Sequence, residues 1–178
     1  MKRLLLSLLL LVTVCCNANA ADAKQIDAQS RAALRQLFHA NAKARYLGNH
    51  ALAVLVFPQI IKGGFMVGGM HGTGALIARG GTVGYYRTAA ASYGLQAGIQ
   101  TFGYAIFFMS FNSLEHLHEQ GGWEIGTAPS LVILDSGISH SMNTTQLKGH
   151  IYAVFFNQQG LMGGLGLQGS KITEIHPK

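Results

Sequence analysis

Any chemistry performed by this chain has to come from a short set of residues. Glu115 and His118 are three apart and Glu119 is four beyond Glu115, so on a helix they share one face and could hold a metal ion together. One such cluster supplies fewer ligands than a zinc or di-iron centre needs, because those sites draw further ligands from other elements. Gly169, Ser170 and Lys171 invite a phosphate-loop reading, but that loop requires Gly-Lys-Ser/Thr in that order at the start of a helix. Here the serine precedes the lysine. No Gly-x-Ser-x-Gly turn is present to expose a nucleophile. Arg87 beside Tyr85 and Tyr86 could edge a ligand site, although an arginine among strand aromatics more often packs on a ring face. Glu124 and Asp135 have no evident partner for acid–base work, and Trp123, the single tryptophan, reads as a core anchor after the Gly121-Gly122 turn. No catalytic residue, metal site or cofactor is therefore expected.

The elements that would position a site begin after residue 20. Lys2 and Arg3, the apolar run Leu4 to Val14 and the small-x-small step Ala18-Asn19-Ala20 together form a secretory signal peptide over residues 1–20. The apolar run is shorter than the roughly 20 residues a membrane helix requires. Lipoprotein processing at Cys15 or Cys16 is the alternative, but LVTVCC lacks the small residues that precede a lipidated cysteine. Cleavage after Ala20 removes both cysteines, so neither thiolate nor disulfide is expected in the mature chain. What remains suits one domain: 49% of residues are hydrophobic and 11% charged, too apolar for disorder, while 23 glycines interrupt any helical bundle. Losing Lys2 and Arg3 takes the 13 basic residues to 11 against 7 acidic, a net charge of +4. Lys24, Arg31, Arg35, Lys43 and Arg45 concentrate that excess near the N-terminus, where only Asp22 and Asp27 oppose it. A basic exported chain without interleaved aromatics fits an anionic lipid, glycan or protein partner better than nucleic acid.

Residues 21–50 form the predicted helical segment and 51–178 a β-rich body. The helix is expected from 27 to about 48, capped by Asp27 or Ser30, with Leu34, Leu37 and Phe38 on its core face and Gly48-Asn49 as its stop. Arg31, Arg35, His39 and Lys43 recur every fourth residue and would form one basic stripe on a continuous helix; a solvated face is the plainer reading of such a stripe. The spacing then becomes strand-like. Ala51 to Phe57, Gly64 to Met70, Ala75 to Ala78, Ala91 to Thr101, Tyr104 to Met109, Ser130 to Leu134, Gly149 to Phe156, Leu161 to Leu167 and Lys171 to Ile175 are predicted strands. Turns are expected at His71–Gly74 and Arg79–Gly81. Leu161 to Leu167 alternates leucine with glycine and should present a flat face, with Gly164 and Gly166 on one side. Asn112 to Gln120 is the predicted internal helix, with Ser113 as its cap. Together these imply an α+β, mainly β fold, a curled antiparallel sheet or barrel.

Four segments, VLVFPQIIKGGFMVGG (Val54 to Gly69), YGLQAGIQ (Tyr93 to Gln100), GWEIGTAPS (Gly122 to Ser130) and GLMGGLGLQGSKIT (Gly160 to Thr173), resemble the SYLF or Ysc84-like family in order and spacing. The resemblance covers about residues 29–176 and is nearest the bacterial, exported single-domain branch. It implies a non-enzymatic lipid-binding domain associating with anionic phospholipid at a membrane surface, periplasmic and peripherally attached, with a structural or adaptor role toward an envelope protein as the alternative. The implied lipid-binding residues are Arg31, Arg35, Lys43 and Arg45, with Lys62 in the lysine-glycine step after Phe57-Pro58.

Overall fold

The computed structural model describes residues 22–118, 121–125, 131–134, 151–160 and 169–178. The signal-peptide reading, the glycine-lined strand Leu161 to Leu167, Glu119 and Asp135 lie outside them.

Helix α1 spans Ala23–Ala40 and starts a turn earlier than predicted, because the cap is Asp22, whose carboxylate accepts from the Lys24 N–H at 3.3 Å. The two residues expected to cap are used elsewhere. Asp27 pairs with Arg31, and Ser30 is buried, donating its hydroxyl to Val56 O at 3.3 Å. Ile26, Ser30, Ala33 and Leu37 form the buried stripe. The helix is not continuous to residue 48. Asn41 adopts extended backbone (φ −134°, ψ 104°), donates its own N–H to Leu37 O and accepts from the N–H groups of Lys43 and Ala44, both at 3.0 Å. It ends one helix and caps the next, α2 at Ala42–His50. Gly48 is not the stop but an interior residue of α2, and a Cβ there would run into the Phe38 ring, 2.9 Å from Cε1 and closer still to Cζ, so the glycine admits close helix–helix packing.

Beyond α2 the chain forms two long strands, β1 at Ala53–Ala78 and β2 at Gly81–Phe108, of 26 and 28 residues. They pair antiparallel from Ala53 opposite Phe108 to Ala78 opposite Gly81. The short strands and the His71–Gly74 turn predicted from the glycines are thus one hairpin, whose real turn is Arg79-Gly80 with both φ positive (50° and 79°), as a two-residue primed turn requires. Register shifts at Phe57/Ile60, Phe65/Val67 and Leu76/Ile77 bend the ribbon. Pro58 sits in the first shift, where its missing N–H interrupts no ladder. The hairpin curls until the end of β1 meets its own beginning. A Cβ on Gly74 would fall 2.8 Å from Phe57 Cδ1 and 2.9 Å from Val56 C, and one on Gly72 would fall 2.8 Å from Gln59 O. Only glycine fits that seam.

The far edge of β2 carries the remaining strands. β5 (Ile151–Gly160) pairs antiparallel with Gln100–Phe108, and β6 (Lys171–Ile175) with Tyr85–Ala89. β3 (Trp123–Glu124) extends β6, while β4 (Leu131–Leu134) runs parallel to β5. The result is a curled, mixed half-barrel, mainly β with helices, in which, among the described residues, the β4–β5 pair is parallel and the other pairs are antiparallel. The internal helix is shorter than predicted: α3 covers Phe111–Glu115 and passes into a 3₁₀ turn at His116–His118. Its cap is Ser110, with Ser113 as the reciprocal partner of a capping box.

Alternation along the strands builds two cores. Leu55, Phe57, Phe102, Tyr104, Ile106, Phe108, Trp123 and Phe155 fill the inside of the curl. Val54, Val56, Ala105, Phe107, Val154 and Phe156 face outward and are covered by Ala33, Leu37, Ala44 and Leu47 of the two helices. Each large apolar side chain so buried contributes roughly 1.5–3 kcal/mol, so the helices are held by packing rather than by propensity. Trp123 is fully buried against Phe108 (ring centroids 6.0 Å apart) and His116 (5.8 Å), the core anchor its position predicts.

Candidate functional site

The helical pair carries charge on the side that the core leaves uncovered. On α1, Arg31 is tied down. Its Nε donates to both Asp27 carboxylate oxygens at 2.9 and 3.0 Å, and its other nitrogens to Gly80 O at 2.8 Å and Thr82 Oγ1 at 2.9 Å. The Thr82 hydroxyl donates to Asp27 in turn. This clasp joins α1 to the β1–β2 turn. The Thr82 hydrogen bond, joined by the Arg31 hydrogen bond and charge and opposed by burial, holds the Asp27 carboxyl below its ordinary value.

One turn on, Arg35 and His39 are exposed. The Asn41 break then carries Lys43 onto α2, so the four residues predicted as one stripe are divided between two helices. Lys43 is half-buried, and Arg45 is exposed beside Tyr46, which is 39% exposed and lies 4.2 Å from the His50 ring. Leu52, just beyond α2, is also exposed. Lys62 is not part of this surface. It stands opposite Gln100 in the ladder, on the face shared by Ile60 and Phe102, whereas the helices cover the other face. The exposed Ile61 and Ile99 flank it on the outer side. Of the five implied lipid-binding residues, the structure therefore places Arg35, Lys43 and Arg45 on the helical pair, Arg31 in the clasp and Lys62 apart from both. Sequence spacing missed Tyr46 and Thr82: the first became visible once Asn41 restarted the helix, and the second depends on a contact between residues 55 apart in the chain.

The residues considered for chemistry are dispersed. Tyr86 points into the core while Tyr85 and Arg87 alternate away from it, so the three do not form one edge. Gly169-Ser170 leads into strand β6 rather than a helix, which removes the anion-binding geometry of a phosphate loop. Glu115 ends α3 and His118 ends the 3₁₀ turn, and among the described residues no three His, Cys, Asp or Glu side chains gather at one point. Burial pushes the Tyr86 phenol up to about 12 and those of Tyr104 and Tyr152 upward as well. The Tyr104 hydroxyl faces that of Thr88 without meeting hydrogen-bond geometry. These are neutral core groups. Among the described residues no helix is long and apolar enough to cross a membrane.

A curled half-barrel with a cationic helical pair packed on its outer face defines a mainly β, α+β domain. Residues 89–177, half of the 178-residue chain, match the family described as Ysc84, Las17-binding protein actin regulator, and the chain belongs to it. The match begins in β2 at Ala89 and takes in β3 to β6; α1, α2 and β1 lie ahead of it. The family is one of lipid- and protein-binding domains. A search of the curated proteins returned no match.

Proposed function

We propose that this protein is an exported, non-enzymatic lipid-binding protein that docks on anionic phospholipid through the outward face of α1 and α2. The observation that carries this reading is the exposed set Arg35, Arg45 and Tyr46 on helices whose opposite face is fixed to the core. Cations reach anionic headgroups from such a face, and a half-exposed tyrosine suits the boundary between headgroup and acyl chain. Arg31 serves the clasp, and its charge is answered by Asp27. Each cation near an anionic surface contributes about 1 kcal/mol, so Arg35→Gln with Arg45→Gln is expected to weaken attachment to phosphatidylglycerol vesicles roughly 10- to 30-fold. Added salt should weaken the unaltered protein in the same direction.

A protein partner is the second reading, favoured by the family description as Las17-binding. It predicts no co-sedimentation with vesicles at any anionic content. That outcome, or unchanged attachment of the double variant, overturns the lipid reading.

A further inference from the structure

A cleft of about 390 Å³ opens between α1 and the sheet. Its walls carry five side-chain amides from three elements: Gln29 and Gln36 on α1, Gln59 on β1, and Asn157 and Gln159 on β5. Thr101 of β2 adds a hydroxyl. Among the described residues no ionisable side chain lines it. Among the described residues, none of the five amides is hydrogen-bonded to another protein group.

The irregularities of the sheet converge here. The register shift between Phe57 and Ile60 delivers Pro58 and Gln59 to the cleft, and the shift between Thr101 and Gly103 delivers Asn157 and Gln159. Asn157 has φ 52°, one of two non-glycine residues at positive φ among the described residues, and the other, Arg79, makes the hairpin turn. Bulges re-aim side chains, and residues in sparsely populated backbone regions gather at binding sites. Here two bulges on different strands re-aim amides into one space.

The lining decides the ligand class. With no cation the cleft offers nothing to a phosphate or an anionic headgroup, and with no carboxylate or imidazole it offers nothing to a metal ion. Phe102 is 3% exposed, so no ring face is presented for a nucleobase to stack on. An amide holds an acceptor oxygen and two N–H donors side by side, which lets it accept from one hydroxyl of a vicinal diol and donate to the next. Ala32, Ala33 and Pro58 add apolar lining that suits the C–H face of a sugar ring. The volume lies within the range of small-molecule sites. We propose that this cleft binds neutral carbohydrate, a short glycan segment held by the amides of α1, β1 and β5. The site and its ligand are independent of lipid attachment.

The test is side-chain amide NMR of the ¹⁵N-labelled protein titrated with chitotriose, cellotriose and maltotriose, and separately with glycerol phosphate. At least one trisaccharide should shift the amide signals of Gln36, Gln59, Asn157 and Gln159 saturably. Gln36→Leu with Gln159→Leu should weaken that binding by about tenfold or more, since each lost amide removes its hydrogen bonds to the sugar hydroxyls. Asn157→Gly, which keeps the positive φ and deletes only the amide, should weaken it in the same direction, and Arg35→Gln should leave it unchanged. No saturable shift from any of the three sugars overturns the proposal. So does a sugar shift that survives both cleft variants, or a stronger response of the same amides to glycerol phosphate.

Discussion

Replacing Gly74 by alanine should destabilise the protein far more than one methyl group suggests. The new Cβ would stand 2.8 Å from Phe57 Cδ1 and 2.9 Å from Val56 C, where ordinary contact begins at 3.4 Å. The Val56 backbone cannot step aside. It is paired with Ala105 in the ladder, and its carbonyl accepts from Ser30 on α1. The Val56 carbonyl oxygen would lie closer still, so the seam must open by more than about half an ångström, a gap that forfeits at least roughly a quarter to a half of each dispersion contact along it. Overpacking of this kind costs about 1–3 kcal/mol, and the immobile backbone puts Gly74→Ala in the upper half of that range. For a chain of this size such a loss lowers the melting temperature by roughly 5–10 °C. Gly69→Ala on the same strand is the control, because its nearest neighbour, Ala90 O, would lie 3.7 Å from the added methyl. Thermal melts followed by far-ultraviolet circular dichroism compare the two. If Gly74→Ala melts with the unaltered protein, or both variants fall equally, the strand ends do not meet as described.

Two further outcomes follow from the helices. Asn41→Ala removes the acceptor of two N–H groups at the start of α2 and should cost about 1 kcal/mol in chemical denaturation, with a glycine in its place costing less; equal stability of the alanine variant would remove Asn41 as the joint between the helices. Because the folded-state pKa of Asp27 is lowered, the stability it contributes is present above the unfolded carboxyl value of about 4 and is lost as pH falls through the lower folded value. Melts of the unaltered protein and of Asp27→Asn should accordingly differ at neutral pH and converge toward about pH 3, and a gap that persists in acid would contradict the clasp.

The sequence discloses what depends on local pattern and hides what depends on distant contact. Lys171 to Ile175 and the core positions of Tyr104 to Phe108 follow from alternation, and Trp123 follows from its place after a glycine turn. The long hairpin did not, since Gly72 and Gly74 look like turn residues until the opposing ends of β1 are seen against them. Helix limits failed for a related reason. Asp22, Asp27 and Ser30 are all competent caps, and only the burial of Ser30 under Val56 and the pairing of Asp27 with Arg31 select the first. At the candidate site, periodicity grouped Arg31 with Arg35 and Lys43, the resemblance added Arg45 and Lys62, and the structure sets Arg31 and Lys62 apart from the rest. The Thr82 contact and the register of β1 with β2 separate them. The amide cleft left no local mark, because its walls come from stretches more than a hundred residues apart.

The bulge at Pro58-Gln59 also reverses the parity of β1. Before it the inward residues are odd-numbered, Ala53, Leu55 and Phe57; after it they are even-numbered, Ile60, Met70 and Leu76. Between Phe65 and Val67 the ladder slips again, but there β2 advances four residues, from Ala97 back to Tyr93, while β1 advances two. An even excess leaves the phase unchanged, so Tyr86 and Phe102 still face the same interior. The strand thus carries a single phase inversion over its central length, and the apolar sequence on either side is written in opposite phase to match. Deleting one residue at Pro58-Gln59 would restore simple alternation and in doing so turn Met70 and Leu76 out of the core. The irregularity is what makes the two halves of β1 agree on one inside.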